Sequence, residues 1–122
     1  MKTKEIVNYL GELVSYRDSL KLYHWHVTGA ASYATHMALD QAIDELNDPI
    51  DALVETSYAV YGDLEIAIPQ TKRPSNIVKH VEDFYETTEK IRDSFKEGFS
   101  GGILDGIQQA NQQLLYRLKR LK

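Results

Sequence analysis

The sequence has no cysteine, only three prolines among 122 residues, and no apolar run long enough to cross a membrane. The missing cysteine excludes disulfides, thiolate metal sites and thiol catalysis. A membrane helix needs about 20 apolar residues, and we find neither such a run nor the pattern of a signal peptide. We therefore expect a cytoplasmic protein with no membrane partner, built from long helices that proline rarely interrupts.

Basic residues are fewer than acidic ones, 14 against 18, and the formal net charge is −4. This balance argues against a surface that attracts nucleic acid as a whole. The basic residues gather at the chain ends: Lys2 and Lys4, then Arg117, Lys119, Arg120 and Lys122. Cations at a helix carboxyl end are favoured by the helix dipole, and a nucleic-acid-binding arm is the alternative interpretation.

Apolar residues recur at spacings of three and four in four segments, which predicts four amphipathic helices. The first three segments cover about 3–28, 32–61 and 75–97, and the fourth begins among the glycines of 98–102. Helices of this kind bury their apolar stripes against one another. The sequence therefore predicts an all-α four-helix bundle, with residues 1–122 forming a single domain.

The second connection, about 13 residues at 62–74, chooses among bundle topologies because it could reach roughly 43 Å if extended. The second helix is about 45 Å long at 1.5 Å per residue. Helices two and three can therefore run parallel, the ferritin-like arrangement with one long crossover. We also expect Ser32 to cap the second helix, and Pro49 to kink that helix or restart it with Asp48 as cap.

The second helix carries most of the metal-ligand residue types. An arc of about 100° on it holds four of them: His36, Asp40, Asp51 and Glu55. Asp40 and Asp51 lie roughly 16 Å apart along the axis, so one metal ion cannot bind both within a chain. A second copy running antiparallel across a two-fold axis would bring the first pair of one chain against the second pair of the other. This predicts a metal site that exists only in a dimer.

His24, in the apolar stripe of the first helix, is the fifth candidate ligand. Imidazole and carboxylate ligands suit iron, manganese or zinc, and two histidines with one carboxylate favour Fe(II). No histidine of the chain follows a glutamate by three positions, so the Glu-x-x-His pairs of ordinary di-iron bundles are missing. Each residue also has a structural interpretation, a core histidine or an i,i+4 pair on a solvated face. Asp44 shares the acidic stripe, whereas His26 projects about 160° away from His24.

Three short stretches together resemble the Dps family of mini-ferritins (DNA-binding proteins from starved cells). They are His-Trp-His-Val-Thr-Gly at 24–29, His-Met-Ala-Leu-Asp at 36–40 and Asp-Ala-Leu-Val-Glu at 51–55. The family motif is H-W-x-x-x-G, a second histidine twelve residues after the first, an aspartate four later, then Asp and Glu four apart. All of these spacings hold here, and the resemblance covers about 20–62.

The resemblance implies a ferroxidase centre at a two-fold interface, with Trp25 beside it as a catalytic residue. The ligands would come from both subunits: His24, His36 and Asp40 from one, Asp51 and Glu55 from the other. Iron, mononuclear or as a pair, would be the metal, with zinc as another occupant. Such proteins oxidise Fe(II) with hydrogen peroxide or oxygen and sequester Fe(III), which protects against oxidative damage. They form homo-oligomers, from a two-fold dimer to a shell of twelve subunits.

The sequence departs from the family pattern at His26, where asparagine is typical, and at Tyr33, where phenylalanine is typical. Only Lys2 and Lys4 stand where several members have a lysine-rich arm, so strong DNA binding is not expected. Two alternatives stay open beside the ferroxidase. One is a ferritin-like dimerisation or assembly module with a structural or vestigial metal site, and the other is a nucleic-acid binder acting through the basic ends.

Overall fold

The computed structural model describes residues 2–121, which form four long helices and one short 3₁₀ turn. The elements are α1 (Lys2–His26), α2 (Ser32–Tyr61), α3 (Ile77–Ile91), the 3₁₀ turn (Arg92–Ser94) and α4 (Gly98–Arg120). No strand occurs among the described residues. The predicted all-α four-helix bundle is confirmed.

The apolar stripe of every helix faces the bundle axis. Side chains from all four helices are fully buried there, including Leu10, Leu13, Leu39, Leu46, Leu53, Val81, Leu104, Ile107 and Leu114. Burying one such side chain is worth about 1.5–3 kcal/mol, so these stripes supply most of the energy that holds the helices together. None of the helices between residues 2 and 121 is long and apolar enough to span a bilayer.

Helix α1 runs antiparallel to both of its neighbours. Paired side chains show the directions: Arg17 with Asn47 and Lys21 with Asp40 towards α2, Tyr9 with Thr88 and Ser19 with His80 towards α3. In each set, rising residue numbers on α1 meet falling numbers on the other helix. Helices α2 and α3 are therefore parallel, as the predicted crossover requires.

The crossover, residues 62–76, lies along the outside of α1. Thr71 and Ser15 join their hydroxyls at 2.8 Å. Further back, the carbonyl oxygen of Ala67 sits so close to Gly11 that a Cβ on this glycine would overlap it. Glycine at position 11 thus permits the extended chain to pack directly on the helix.

Two predictions about helix ends were wrong. Ser32 does not cap α2, because its backbone N–H donates to the Gly29 carbonyl in the preceding turn and Ala31 takes the cap position without a side-chain bond. Helix α3 ends at Ile91 rather than at 97. Phe95 reaches the core from extended backbone and packs edge-on against Tyr9, so its apolar spacing does not require a helix.

Pro49 does not restart α2, which continues as one helix from Ser32 to Tyr61. A proline inside a helix removes one backbone hydrogen bond, here the one to the Glu45 carbonyl. Buried side chains before and after it, Leu46 and Ile50, pack in the core. Packing on both sides of the proline therefore maintains the helix despite the lost bond.

Candidate metal centre

Three of the predicted ligands come together where α1 ends and α2 begins. The short connection 27–31 turns the chain back on itself, so the last turn of α1 faces the first turns of α2. One potential ligand atom each from His24, His36 and Asp40 lies within 4.8 Å of the other two. Over residues 2–121, these are the side chains close enough together to form such a group.

The ring of His36 contacts the backbone at the end of α1. Its Nδ1 lies 3.3 Å from the backbone carbonyl oxygen of His24. A carbonyl can only accept, so Nδ1 carries the hydrogen and the lone pair of the neutral ring is on Nε2. Metal-binding histidines typically donate their second nitrogen to a carbonyl or carboxylate in this way.

His24 is buried, with 5% of its surface exposed, and its ring packs against that of His36 with 3.6 Å between centroids and a tilt of 30°. Within the described residues neither ring nitrogen has a partner in hydrogen-bond geometry, although Nε2 lies 3.1 Å from Oδ1 of Asp40. Burial lowers the pKa of His24, and the neighbouring Lys21 charge lowers it further. The neutral imidazole is the form that binds metals, and a bound cation would satisfy nitrogens that burial otherwise leaves unpaired.

Asp40 supplies the negative charge of the group. The ammonium of Lys21 donates a hydrogen bond of 3.0 Å to its Oδ1, and this bond is the main reason why the pKa of Asp40 is lowered. Asp40 is thus ionised, as a ligand must be. Sequence reasoning missed Lys21 as part of this cluster. The available signal was its position three residues before His24, which places both side chains on one side of α1.

The other two predicted ligands, Asp51 and Glu55, are exposed on α2 and do not join the group. Asp51 lies about 16 Å further along the helix axis than Asp40, as an unbroken α2 requires. Helix α2 therefore carries His36 and Asp40 near its start and the predicted pair Asp51 and Glu55 further along, and the role of that second pair stays a prediction. Asp44, between them, is also exposed.

Trp25, the predicted catalytic residue, is 68% exposed at the edge of the site. Its ring contacts the cluster through Lys21, whose Nζ lies 5.8 Å from the ring centroid. Tyr33 and Met37 are likewise exposed on the first turns of α2. An apolar rim around a polar site is typical of a surface that another protein chain covers.

His26 and His80 take no part in the cluster. His26 is exposed on the far side of α1, as its angle predicts. His80 on α3 bonds through Nε2 to the hydroxyl of Ser19 at 2.7 Å and packs on the Tyr16 ring, so it has a structural contact instead of a metal.

The fold and the site define a four-helix-bundle protein with a histidine and carboxylate cluster at the turn between its first two helices. Residues 24–118 match the family of unknown function DUF5856, and the chain belongs to that family. It is also similar to the "DNA protection during starvation protein" of Listeria innocua serovar 6a, with 26% identity over 126 residues, 93% of this chain and 80% of that protein. No solved structure gives a significant match. The distant similarity to the Listeria protein covers most of both chains and agrees with the Dps resemblance of the motif.

Proposed function

We propose that this protein is a Dps-type ferroxidase, which binds Fe(II) between two subunits, oxidises it and sequesters the Fe(III) product. The observation that carries the proposal is the cluster of His24, His36 and Asp40, in which neither ring nitrogen of the buried His24 has a hydrogen-bond partner among the described residues. Three ligands on one side leave the other side open for ligands from a second subunit. The similarity to a protein whose name refers to protection during starvation supports the same class of function.

The sequence order of the exposed residues on α2 supports a shared site. In an antiparallel pair of identical helices, facing residue numbers have a constant sum, since a two-fold axis relates the two helices. The register that sets His36 against Glu55 also sets Asp40 against Asp51. It brings together Tyr33 and Tyr58 as well, and both rings are exposed in the single chain, by 76% and 42%. One register thus completes the ligand set and covers the aromatic surface beside it.

The proposed reaction transfers electrons from iron to peroxide. Two Fe(II) ions each lose one electron, and one hydrogen peroxide molecule takes up both electrons with two protons to give two water molecules. Oxygen is the other oxidant to be tested. The protein binds the substrate ions with neutral imidazoles and ionised carboxylates, while the redox chemistry belongs to the metal. Outside the cluster, the acidic stripe of α2 would attract Fe(II) towards the site.

The first experiment is an anaerobic titration of metal-free protein with Fe(II), followed by addition of peroxide and measurement of Fe(III) absorbance. We expect saturable binding and then rapid oxidation. His36→Ala should abolish both, whereas His26→Ala, which removes an exposed histidine outside the cluster, should leave both intact. Binding no stronger than that of buffer, or equal loss in the two variants, would refute the proposal.

A second candidate function is a dimerisation or assembly module with a structural metal. The apolar rim formed by Trp25, Tyr33 and Met37 favours it, because these exposed side chains alone could drive association. In that case Zn²⁺ should raise the dimer fraction in analytical ultracentrifugation, and Fe(II) should bind without faster oxidation. Zinc-promoted dimers combined with peroxide-dependent Fe(III) formation would instead favour the ferroxidase.

A further inference from the structure

We infer that Lys21 is the resident counter-cation of the metal-free site, which an incoming divalent metal ion must displace from Asp40. This inference rests on the part of the proposed function that has the cluster bind a divalent cation. The ammonium of Lys21 donates to the same oxygen, Oδ1 of Asp40, that lies 3.1 Å from Nε2 of His24. The oxygen best placed to share a metal with His24 is therefore already bonded to a positive charge.

Position and charge both support this role. Lys21 stands three residues before His24, the offset at which ordinary di-iron bundles carry a glutamate ligand. That offset brings the side chain to the metal, and in this chain it delivers an ammonium instead of a carboxylate. The lysine cannot act as a ligand while protonated, and its charge would repel a divalent ion at the same oxygen. Metal binding and the Lys21–Asp40 ion pair thus compete.

The surroundings of Lys21 permit its displacement. Its side chain is 37% exposed and that of Asp40 is 44% exposed, so the pair is not locked inside the core. The ammonium already lies 5.8 Å from the Trp25 ring centroid, and an aromatic face can receive a cation that leaves a carboxylate. Lysine carries its charge on a flexible four-carbon stem, so the movement requires only side-chain rotation.

The consequence is a site whose affinity for metal is set by an internal competitor. While the metal is absent, Lys21 neutralises the charge of Asp40. It thereby limits the repulsion between Asp40 and the acidic residues that a second subunit would bring to the site. The ion pair raises the metal concentration at which the site fills. Half-exposed ion pairs are weak, so this effect should be modest, roughly three- to fivefold in the dissociation constant.

The test is isothermal titration of metal-free protein with Zn²⁺, an ion without redox chemistry. Lys21→Met keeps most of the apolar stem and removes the charge, and should bind Zn²⁺ roughly three- to fivefold more tightly than wild type. Lys21→Arg keeps a cation there and should stay near wild type. The matched control is Lys79→Met, which removes an ammonium paired with Asp83 on the exposed face of α3, and it should change nothing. Lys21→Gln, a polar neutral variant, serves if Lys21→Met does not fold.

Each result decides the inference. Tighter binding by the two neutral variants alone would support it, whether or not iron is turned over. Equal or weaker binding by both neutral variants, with peroxide-dependent iron oxidation intact in wild type, would overturn the role of Lys21 and leave the ferroxidase proposal standing. Absence of Zn²⁺ binding in every variant and in wild type would overturn both.

Discussion

Two groups of buried polar residues in this bundle differ in whether their side chains have hydrogen-bond partners. At the centre, Tyr16 donates to Asn111 at 2.7 Å, Asn111 donates to Gln108 at 3.1 Å, and Gln108 donates onward to the Tyr85 carbonyl at 2.9 Å. Each member satisfies the next. At the turn between α1 and α2, His24 also has little exposed surface, but it lies near the outside of the bundle. Its ring nitrogens have no partner in hydrogen-bond geometry in the described part of the chain, although Oδ1 of Asp40 lies 3.1 Å from Nε2.

This difference in hydrogen bonding indicates a structural role for the central network and a functional role for His24. A satisfied buried network fixes the helices relative to one another, whereas unsatisfied buried nitrogens cost stability and need another reason to exist. Ordinary ferritin-like di-iron proteins place their metal ligands in the bundle interior. Here side-chain amides and a tyrosine occupy that interior, and the metal-ligand residue types lie at the surface of α1 and α2. The comparison supports a site completed from outside the chain.

The largest expected effect is the loss of Fe(II) oxidation when a ligand is removed from either half of the proposed shared site. His36→Ala and Glu55→Ala should each lower the rate of Fe(II) oxidation by more than the roughly 100-fold that loss of an outer-shell partner can cost. A heterodimer of the two variants retains one intact site, because the unmutated halves face each other. Random mixing makes about half of the dimers mixed, so the mixture should recover about a quarter of the wild-type rate.

Mixing His36→Ala with Asp40→Ala is the control for this complementation. Both substitutions remove ligands from the same half-site, so no combination of the two chains restores a complete set, and activity should stay lost. Recovery in that control, or no recovery in the first mixture, would show that the site is not shared between subunits.

The crossover offers a way to disturb the fold without touching the site. Gly11→Ala places a Cβ against the Ala67 carbonyl, so the backbone of the crossover must move. We expect a loss of about 1–3 kcal/mol in the free energy of unfolding, measured by urea denaturation. Gly106→Ala is the matched control, because nothing lies within 4 Å of its added Cβ, and alanine should stabilise α4 by up to about 1 kcal/mol. Equal stability of the two variants would contradict the close packing of the crossover on α1.

The central network should be sensitive to the loss of one hydroxyl. Tyr16→Phe leaves Oδ1 of Asn111 buried without its donor, and we expect the free energy of unfolding to fall by about 1–2 kcal/mol while Zn²⁺ affinity stays unchanged. Tyr116→Phe, at a side chain that is 55% exposed, should change stability by less than about 0.5 kcal/mol. A change in Zn²⁺ affinity for Tyr16→Phe would show that the two polar regions are coupled.

Most of the fold could be predicted from the sequence because helix burial follows a local repeat. The inward faces of α1 and α2 are visible as apolar residues three and four apart, and the length of the crossover restricts the topology. The end of α3 could not be predicted in this way. Phe95 keeps the apolar spacing of the helix, but it reaches the core from extended backbone, which the spacing alone does not distinguish.

The candidate site could be predicted only in part, for a physical reason at each residue. His36 and Asp40 are one turn apart on α2, and the short turn after α1 brings His24 to them, so local geometry gathers all three. Asp51 and Glu55 depend on a second chain, and their role stays a prediction. Lys21 was missed because a lysine is not a metal-ligand residue type. A cation beside a carboxylate ligand nevertheless indicates a site, because the cation and a metal ion compete for the same carboxylate.

The smallest expected effect is a pH dependence of stability at His80, a histidine with a partner. Ser19 donates its hydroxyl to the Tyr16 carbonyl, so it accepts from Nε2–H of neutral His80. Burial lowers the pKa of His80 below its ordinary value of 6.5, and only the Asp83 charge opposes this. The unfolded chain therefore binds more protons than the folded chain just below pH 6.5, and the contribution of His80 to the free energy of unfolding decreases as pH falls through this range.

His80→Gln retains a donor near the position of Nε2, and it should reduce the pH dependence of the free energy of unfolding in urea denaturation between pH 5 and pH 7. His26→Gln, on an exposed face, should leave the wild-type pH dependence unchanged. A slope that persists unaltered in His80→Gln would place the acid sensitivity elsewhere, and the buried His24 would be the next histidine to test.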